Sequence, residues 1–397
     1  MLIDFTAVLL KRRFMKNKDF GIYIHIPYCE RKCNYCDFKS YSGIEHTMNE
    51  YFKVLNKEII YYSDQARAPR VRRGNVADTI FIGGGTPSIV DARYIDDILN
   101  TIYKNYELSK DTEITIECNP GTVTEEKLKS YKMSGINRIS FGLQSAVDSE
   151  LKLLGRIHDF NDYVKSMNIA VKTGFKNINT DIIIGIPGQT IQSLTYTLEK
   201  VCDMPNTHIS AYSLIIEEDT NFYDTYRNGT LNLPEEEYER QLYDHLLSYL
   251  KNKGFSHYEI SNFAKGYDSL YECKHNLKYW QAKEYLGFGL GAHSYFKSRR
   301  YWNYDDMELY LKNKTIKGYE PIDNSESMKE FMMLGFRMIK GVRKAEFKKR
   351  YLVDMTDIFQ EQIKKLLAIE LIEEDDKSIK LTRKGLDFAN VVFREFI

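Results

Sequence analysis

Short runs of apolar and β-branched residues recur through the first half of the chain, and a turn residue stops each one. GIYIHI (21–26) ends at Pro27, ADTIFI (77–82) at a glycine cluster, and EITIEC (113–118) at Asn119-Pro120-Gly121. NRISFGLQS (137–145), INTDIIIGIPG (178–188) and HISAYSLII (208–216) continue the series. Length, β-branched content and stop residues make each of them a strand. Between the strands apolar residues fall at helical spacing, as in YIDDILNTIYKNY (94–106), EEKLKSYKM (125–133) and TIQSLTYTLEKV (190–201). Regular strand–helix alternation predicts an α/β fold of parallel strands with helices outside. Polar residues and glycines gather just after the strands, which favours a TIM-type barrel, full or partial, whose site lies at the strands' C-terminal ends.

Around Pro234 the pattern changes. EEEYERQLYDHLLSYLKNKG reads as a helix ended by Gly254. A stretch rich in aromatics and glycine follows. From Ser325 the chain reads as helices at SMKEFMMLGFRMI, KAEFKKRY and DIFQEQIKKLLAIE, a hairpin LIEEDDKSIKLT, and a last helix RKGLDFANVVFREFI. Helices with a β-wing make an α+β, winged-helix-like module. Glu373, Glu374, Asp375 and Asp376 in that wing would repel phosphate, so packing against the barrel is the better role than DNA binding. The expected division is an N-terminal extension (1–20), a barrel (21–254), a connecting region (255–324) and the C-terminal module (325–397).

Composition narrows the function classes. The hydrophobic share of 43% and the charged share of 28% belong to a globular chain with a large core. Lys plus Arg and Asp plus Glu both total 56, so no net field draws in nucleic acid. Six cysteines in 397 residues are too few for a disulfide framework and predict a cytoplasmic protein. No apolar run approaches a membrane span, although peripheral contact with a membrane stays open. The N-terminal stretch places its apolar patch before its basic residues, the reverse of an export signal. Met15 is an alternative start, which would make residues 1–14 an artefact of start-site choice.

The strongest chemical signal is YIHIPYCERKCNYCDFKSY (23–41), with Cys29, Cys33 and Cys36 directly after the first strand. One disulfide would strand the third thiol, so metal ligation is the better reading. Soft thiolates suit zinc or an iron–sulfur cluster. His25 and His46 are the nearest candidates for a fourth zinc ligand, but neither completes a familiar zinc pattern. GGGTPS (83–88) follows a strand and opens a helix, so its backbone can approach a ligand closely.

CxxxCxxC after a strand is similar to the signature of the radical S-adenosylmethionine superfamily. The run YIHIPYC, FIGGGTPS, IECNPG, GINRISFGLQS, LLGRIH and DIIIGIPGQT resembles the oxygen-independent coproporphyrinogen III oxidase group over nearly the whole chain. The resemblance implies a 4Fe–4S cluster on Cys29, Cys33 and Cys36, with the open iron chelated by S-adenosylmethionine. It carries S-adenosylmethionine contacts over to Tyr23, Tyr35, Gly84, Gly85, Thr86, Glu117, Gln144, Arg156 and Asp181.

Within that group, Cys36 is followed by Asp37 and Phe38, where the oxidases have a further cysteine two residues after the motif. ECKHNLKYW (272–280) looks like the HNxxYW haem motif of the HemW haem chaperones. It implies haem as ligand, held by His275, Tyr279 and Trp280. Cys273 competes with His275 as axial ligand on grounds of softness. The expected partners are haem, a haem-acceptor protein and an electron donor to the cluster, with a homodimer also open. The alternative is a radical enzyme acting on a porphyrin or porphyrinogen. The glycines of LGFGLGAHSY (286–295) do not fit a dinucleotide fingerprint and are expected only to allow close backbone approach, with His293 structural.

Overall fold

The structure, a computed structural model, describes residues 19–63 and 75–397. The alternative start at Met15 and the N-terminal extension up to residue 18 lie outside the described residues.

Six parallel strands form the centre of the molecule: β1 (Phe20–Ile26), β2 (Ala77–Gly84), β3 (Leu108–Cys118), β4 (Arg138–Gln144), β5 (Asn177–Ile184) and β6 (His208–Ser213). They pair in chain order, with Tyr23 opposite Phe81, Phe81 opposite Thr115, and Asp181 opposite Ser210. Alternate residues such as Ile22, Ile24, Ile26, Ile80, Ile82, Ile116 and Ile139 enter one large apolar core. That core is completed by the buried stripes of the helices Met48–Ser63, Ala92–Asn105, Phe160–Lys172 and Ile191–Cys202. These helices cover the outer face of the strands, and alternate residues such as Glu117 and Asp181 face the lumen within.

The strand order is open, so the barrel is partial rather than full. Beyond β1 the sheet continues through β9 (Tyr285–Phe288), parallel to β1, and then antiparallel β10 (His293–Tyr295), β11 (Arg299–Asn303) and β12 (Ile316–Pro321). Beyond β6 come antiparallel β8 (Asn262–Lys265) and β7 (Phe255–Glu259). Residues 255–324 are therefore sheet as well as connection. Their strands are three to six residues long and carry aromatics on both faces, which hides the alternation. In LGFGLGAHSY a Cβ on Gly287 would strike His293 O, so close backbone approach is what that glycine provides.

The C-terminal part has its own core of Phe331, Met332, Phe336, Phe347, Leu366, Ile379 and Val392. The hairpin expected at 371–382 is the antiparallel pair β14 (Ile372–Glu374) and β15 (Ser378–Leu381), joined by the short β13 (Val342–Arg343). The helix expected over 357–370 breaks at Phe359, whose side chain turns into that core. The acidic wing is partly neutralised from within, Glu373 by Lys380 and Glu374 by Lys344. This part rests on the barrel where Ile260 N–H donates to Arg337 O and Ile339 N–H to Tyr258 O, both at 3.0 Å.

Candidate functional site

A cavity of about 340 Å³ opens at the C-terminal ends of β1–β6. That is large enough for a small-molecule ligand. Its wall carries Cys29, Cys33, Cys36 and Tyr35 from the loop after β1, and Gly84, Gly85 and Thr86 from the end of β2. Glu117, Gln144, Arg156 and Asp181 complete it from β3, β4, the LLGRIH segment and β5. Eight of the nine residues carried over for S-adenosylmethionine therefore meet at one cavity. The ninth, Tyr23, lies beneath it. Its hydroxyl is 3.0 Å from His25 Nδ1 and its ring stacks on Phe81.

The cysteine loop is tied down from several sides. Cys29 N–H donates to Tyr41 O at 2.9 Å, and Asn34 N–H to Leu154 O at 3.0 Å. Arg31 Nη2 donates to Gly155 O at 2.7 Å, which locks the loop to LLGRIH. Arg156 reaches inward from that segment, donating to Asn119 Oδ1 and Gly142 O at 2.7 Å each and to Cys33 Sγ at 3.4 Å. A positive guanidinium beside thiolates is favourable, and its planar fork fixes three strands' ends at once.

The glycines work differently from the expectation. Gly85 N–H donates to Ile26 O, Thr86 N–H to Tyr28 O, and Gly84 N–H to Glu117 Oε2. Their amides are thus used within the protein. What Gly85 supplies is room: a Cβ there would lie 2.7 Å from Tyr28 O and 3.0 Å from Cys29 Sγ. Gly84 has φ +114, and a Cβ on it would meet the His25 ring at 2.7 Å.

The donor set fits an iron–sulfur cluster. Three thiols from one anchored loop border one cavity, and a cradle beside Cys29 exists only because residue 85 lacks a side chain. Among the described residues no three His, Cys, Asp or Glu side chains are grouped to hold a single ion. His25 is not available as a zinc ligand, because its nitrogens face Tyr23 Oη and Lys39 O. Burial pushes the Cys36 thiol up to about 11, a penalty that a bound metal would reverse by taking the thiolate. Cys118 also borders the cavity, but burial pushes its thiol up to about 12.

The cavity floor is acidic in composition and strongly desolvated. Burial, then the neighbouring charge of Asp181, pushes the Glu117 carboxyl up to about 8. Burial also raises Asp181, against hydrogen bonds from Ser210, Asn179 and Ser140. Such a pair suits a cationic ligand. Sequence reasoning passed over Asn119, which donates to Thr86 Oγ1 at 3.0 Å and accepts from Arg156, and over Tyr212 and Ile215 on the rim. Their position at or just after the C-terminal ends of β3 and β6 was the available signal.

The HNLKYW segment is elsewhere. It forms the helix Lys274–Trp280, packed under β1 and β2 at the other end of the lumen. His275 is 1% exposed, stacked on Phe81 at 5.3 Å. Its Nδ1 lies 2.9 Å from Thr79 Oγ1, and its Nε2 the same distance from Tyr279 Oη. Burial, with the nearby charges of Lys278 and Arg138, lowers its pKa to about 3, so the ring is neutral. Lys278 pairs with Asp78 at 2.5 Å, and Trp280 stacks against the Arg337 guanidinium. Cys273 is fully buried, its sulfur 3.7 Å from Glu113 Oε1, and burial pushes its thiol up to about 12. The structure thus places the haem-motif residues together, with His275 sequestered and Tyr279 and Trp280 partly buried, and apart from the cysteines.

The Radical SAM superfamily profile matches residues 23–201, and the HemN C-terminal domain profile matches residues 322–388. The chain is 36% identical to the haem chaperone HemW of Bacillus subtilis, across 94% of this chain and 98% of that protein. It is 34% identical to the haem chaperone HemW of Lactococcus lactis, across 96% and 98%. Among solved structures, coproporphyrinogen III oxidase (HemN) from Escherichia coli superposes with a TM-score of 0.82 at 20% identity, across 98% of this chain and 93% of that one. That likeness is one of fold.

Proposed function

Because the chain belongs to the HemW family of radical S-adenosylmethionine proteins, we propose that it is a haem chaperone that binds haem and passes it to an acceptor protein. The observation that carries this reading is full-length similarity to proteins of that name, in a chain that keeps HNLKYW on an ordered helix. Cys29, Cys33 and Cys36 would hold a 4Fe–4S cluster, and the cavity they border would take S-adenosylmethionine. When bound, the cluster supplies a one-electron reductant beside a cationic sulfonium.

The chain's own residues define the rest. Arg156 and Asn119 hold the cavity's shape, Gly85 leaves space for the Cys29 sulfur, and Glu117 and Asp181 present the buried acidic wall. His275 is a neutral imidazole, the form that binds haem iron, with Tyr279 and Trp280 offering aromatic faces. Ligation requires it to give up one of two side-chain hydrogen bonds, each worth about 1 kcal/mol net. An electron donor to the cluster, the acceptor protein and a homodimeric state belong to the same proposal. Among the described residues no helix is long and apolar enough to cross a membrane.

The second reading, a porphyrinogen-decarboxylating enzyme, draws on the shared fold alone. Phe38 stands at the cavity where those oxidases would place a cysteine. One anaerobic experiment separates the two: haem titration of the cluster-loaded protein beside incubation with reductant, S-adenosylmethionine and coproporphyrinogen III. Stoichiometric haem binding without multiple-turnover decarboxylation is expected. Catalytic formation of the decarboxylated product would favour the second reading.

A further inference from the structure

Asp181 at the cavity wall and Cys273 at the head of the HNLKYW helix are joined through the lumen by a continuous chain of hydrogen bonds. Cys273 N–H donates to Tyr258 Oη at 3.1 Å, and Tyr258 Oη lies 2.8 Å from His208 Nε2. His208 Nδ1 lies 2.6 Å from Asn179 Oδ1, and Asn179 Nδ2 donates to Asp181 Oδ1 at 2.7 Å. Only one placement of protons satisfies every link. The amide oxygen accepts, so His208 carries its proton on Nδ1. Nε2 then accepts from the Tyr258 hydroxyl, whose oxygen takes the Cys273 N–H. Burial, reinforced by Arg138, keeps His208 well below its usual range and therefore neutral.

All donors point the same way, toward the Asp181 carboxyl. Bonds aligned in this manner polarise one another, and a charge at the accepting end strengthens the whole chain. Asn179, His208 and Tyr258 are buried, so water does not compete for their links.

The docked helix is meanwhile incompletely satisfied at its far end. Trp280 Nε1 and Arg337 Nε, stacked together at that end, are buried without a hydrogen-bond partner among the described residues. Each such atom carries a desolvation cost that opening would relieve. The helix head is held by Tyr258 and by Glu113, which accepts from Lys274 N–H at 3.2 Å and from His275 N–H at 3.1 Å, whereas the Trp280 end leaves two polar atoms unsatisfied.

We propose that this chain of hydrogen bonds couples the two sites, so that S-adenosylmethionine in the cavity loosens the Cys273–Trp280 segment and frees His275 for haem. A cationic ligand facing Asp181 draws the carboxylate's charge to itself, and every link back to Cys273 weakens. The haem half of the inference rests on the chaperone reading; the coupling half does not. Coupling is reciprocal, so haem-loaded protein must bind S-adenosylmethionine more tightly by the same factor.

The test uses cluster-loaded protein under anaerobic conditions. Amide hydrogen exchange over residues 273–280 is measured with and without S-adenosylmethionine, beside haem affinity in both states. The expected response in the native protein is exchange accelerated about five- to tenfold and haem affinity raised by a similar factor. Tyr258→Phe, which removes only the linking hydroxyl, and His208→Phe, which breaks a different link, should each abolish the response while still binding S-adenosylmethionine. Thr79→Val, which releases His275 outside the chain, should speed exchange yet keep the response. Unchanged or slowed exchange in the native protein, or a full response in both link variants, would overturn the proposal. An exchange response in a protein that binds no haem would uphold the coupling and sink the chaperone reading instead.

Discussion

His275 Nε2 and Tyr279 Oη lie 2.9 Å apart, one helical turn from each other, so two residues of HNLKYW occupy each other's polar groups. With Nδ1 facing Thr79 Oγ1, the imidazole has no free lone pair in the docked helix. Tyr279→Phe should therefore expose Nε2 while keeping the ring that packs on Tyr285. We expect haem to associate several-fold faster with that variant. His275→Ala should lose both affinity and the native Soret position, and Cys273→Ser should leave the spectrum intact. A haem titration followed in the Soret region reads all three. Weaker binding by Tyr279→Phe would mean that the hydroxyl serves haem directly.

Cluster ligation should depend on three cysteines and no others. Cys29→Ser, Cys33→Ser and Cys36→Ser should each prevent retention of a 4Fe–4S cluster on anaerobic reconstitution, because a hydroxyl is a poor substitute for a soft thiolate. Cys118, Cys202 and Cys273 should be replaceable by Ser with iron and sulfide content kept. Stoichiometric zinc in the native protein would contradict this assignment.

Arg156 fixes the cavity through a planar fork that lysine cannot reproduce. Arg156→Lys should retain the fold and bind S-adenosylmethionine about ten- to a hundredfold more weakly, since a lost charge-assisted hydrogen bond costs roughly 1.5–3 kcal/mol. Calorimetric titration of cluster-loaded protein measures it. Native affinity in the variant would reduce Arg156 to loop packing.

Stability should fall as pH rises through neutrality, and Glu117 should be one cause. Its carboxyl stands at about 8 in the folded chain, mainly through burial, against an ordinary value of 4.5. The folded state thus holds a proton that the unfolded chain has released. That contribution is full below about pH 4.5 and is lost as pH climbs through 8. Glu117→Gln should remove it, so the native protein's melting temperature relative to the variant should decline steadily from pH 5 to 9. The span corresponds to a few kcal/mol, on the order of 1.4 kcal/mol per tenfold change in proton affinity. Glu58, held at about 7 by burial, acts with the same sign and persists in the variant. Parallel profiles for the two proteins would show Glu117 ionised in the folded state.

What the sequence made legible follows the range of the forces involved. Strand stops at Pro27, at Gly83 and at Asn119-Pro120-Gly121 are local, and β1, β2 and β3 end where those residues stand. The cysteine spacing and its place after β1 are local too. The purpose of Gly85 was not, because the atoms it avoids belong to Tyr28 and Cys29, far back in the chain. Nor could spacing reveal that His275 sits against Thr79, 196 positions earlier. Asn119 looked like a turn residue because its partners, Thr86 and Arg156, lie on other loops. The strands of residues 255–324 escaped notice because each is short and draws its stability from neighbours rather than from its own alternation.

The strand that leads into the cysteine loop lies inside the sheet, and one of its neighbours comes late. Gly21 pairs with Tyr285 and Ile24 with Phe288, so β1 lacks a partner on that side until the ribosome has released almost three-quarters of the chain. Pairings so distant in sequence are slow to form, and an unpaired edge is exposed meanwhile. The cysteines emerge early, whereas the sheet that carries their strand gains β9 late. A firmly held cluster loop is thereby deferred until β9 has been made, and products truncated before it should retain a cluster poorly.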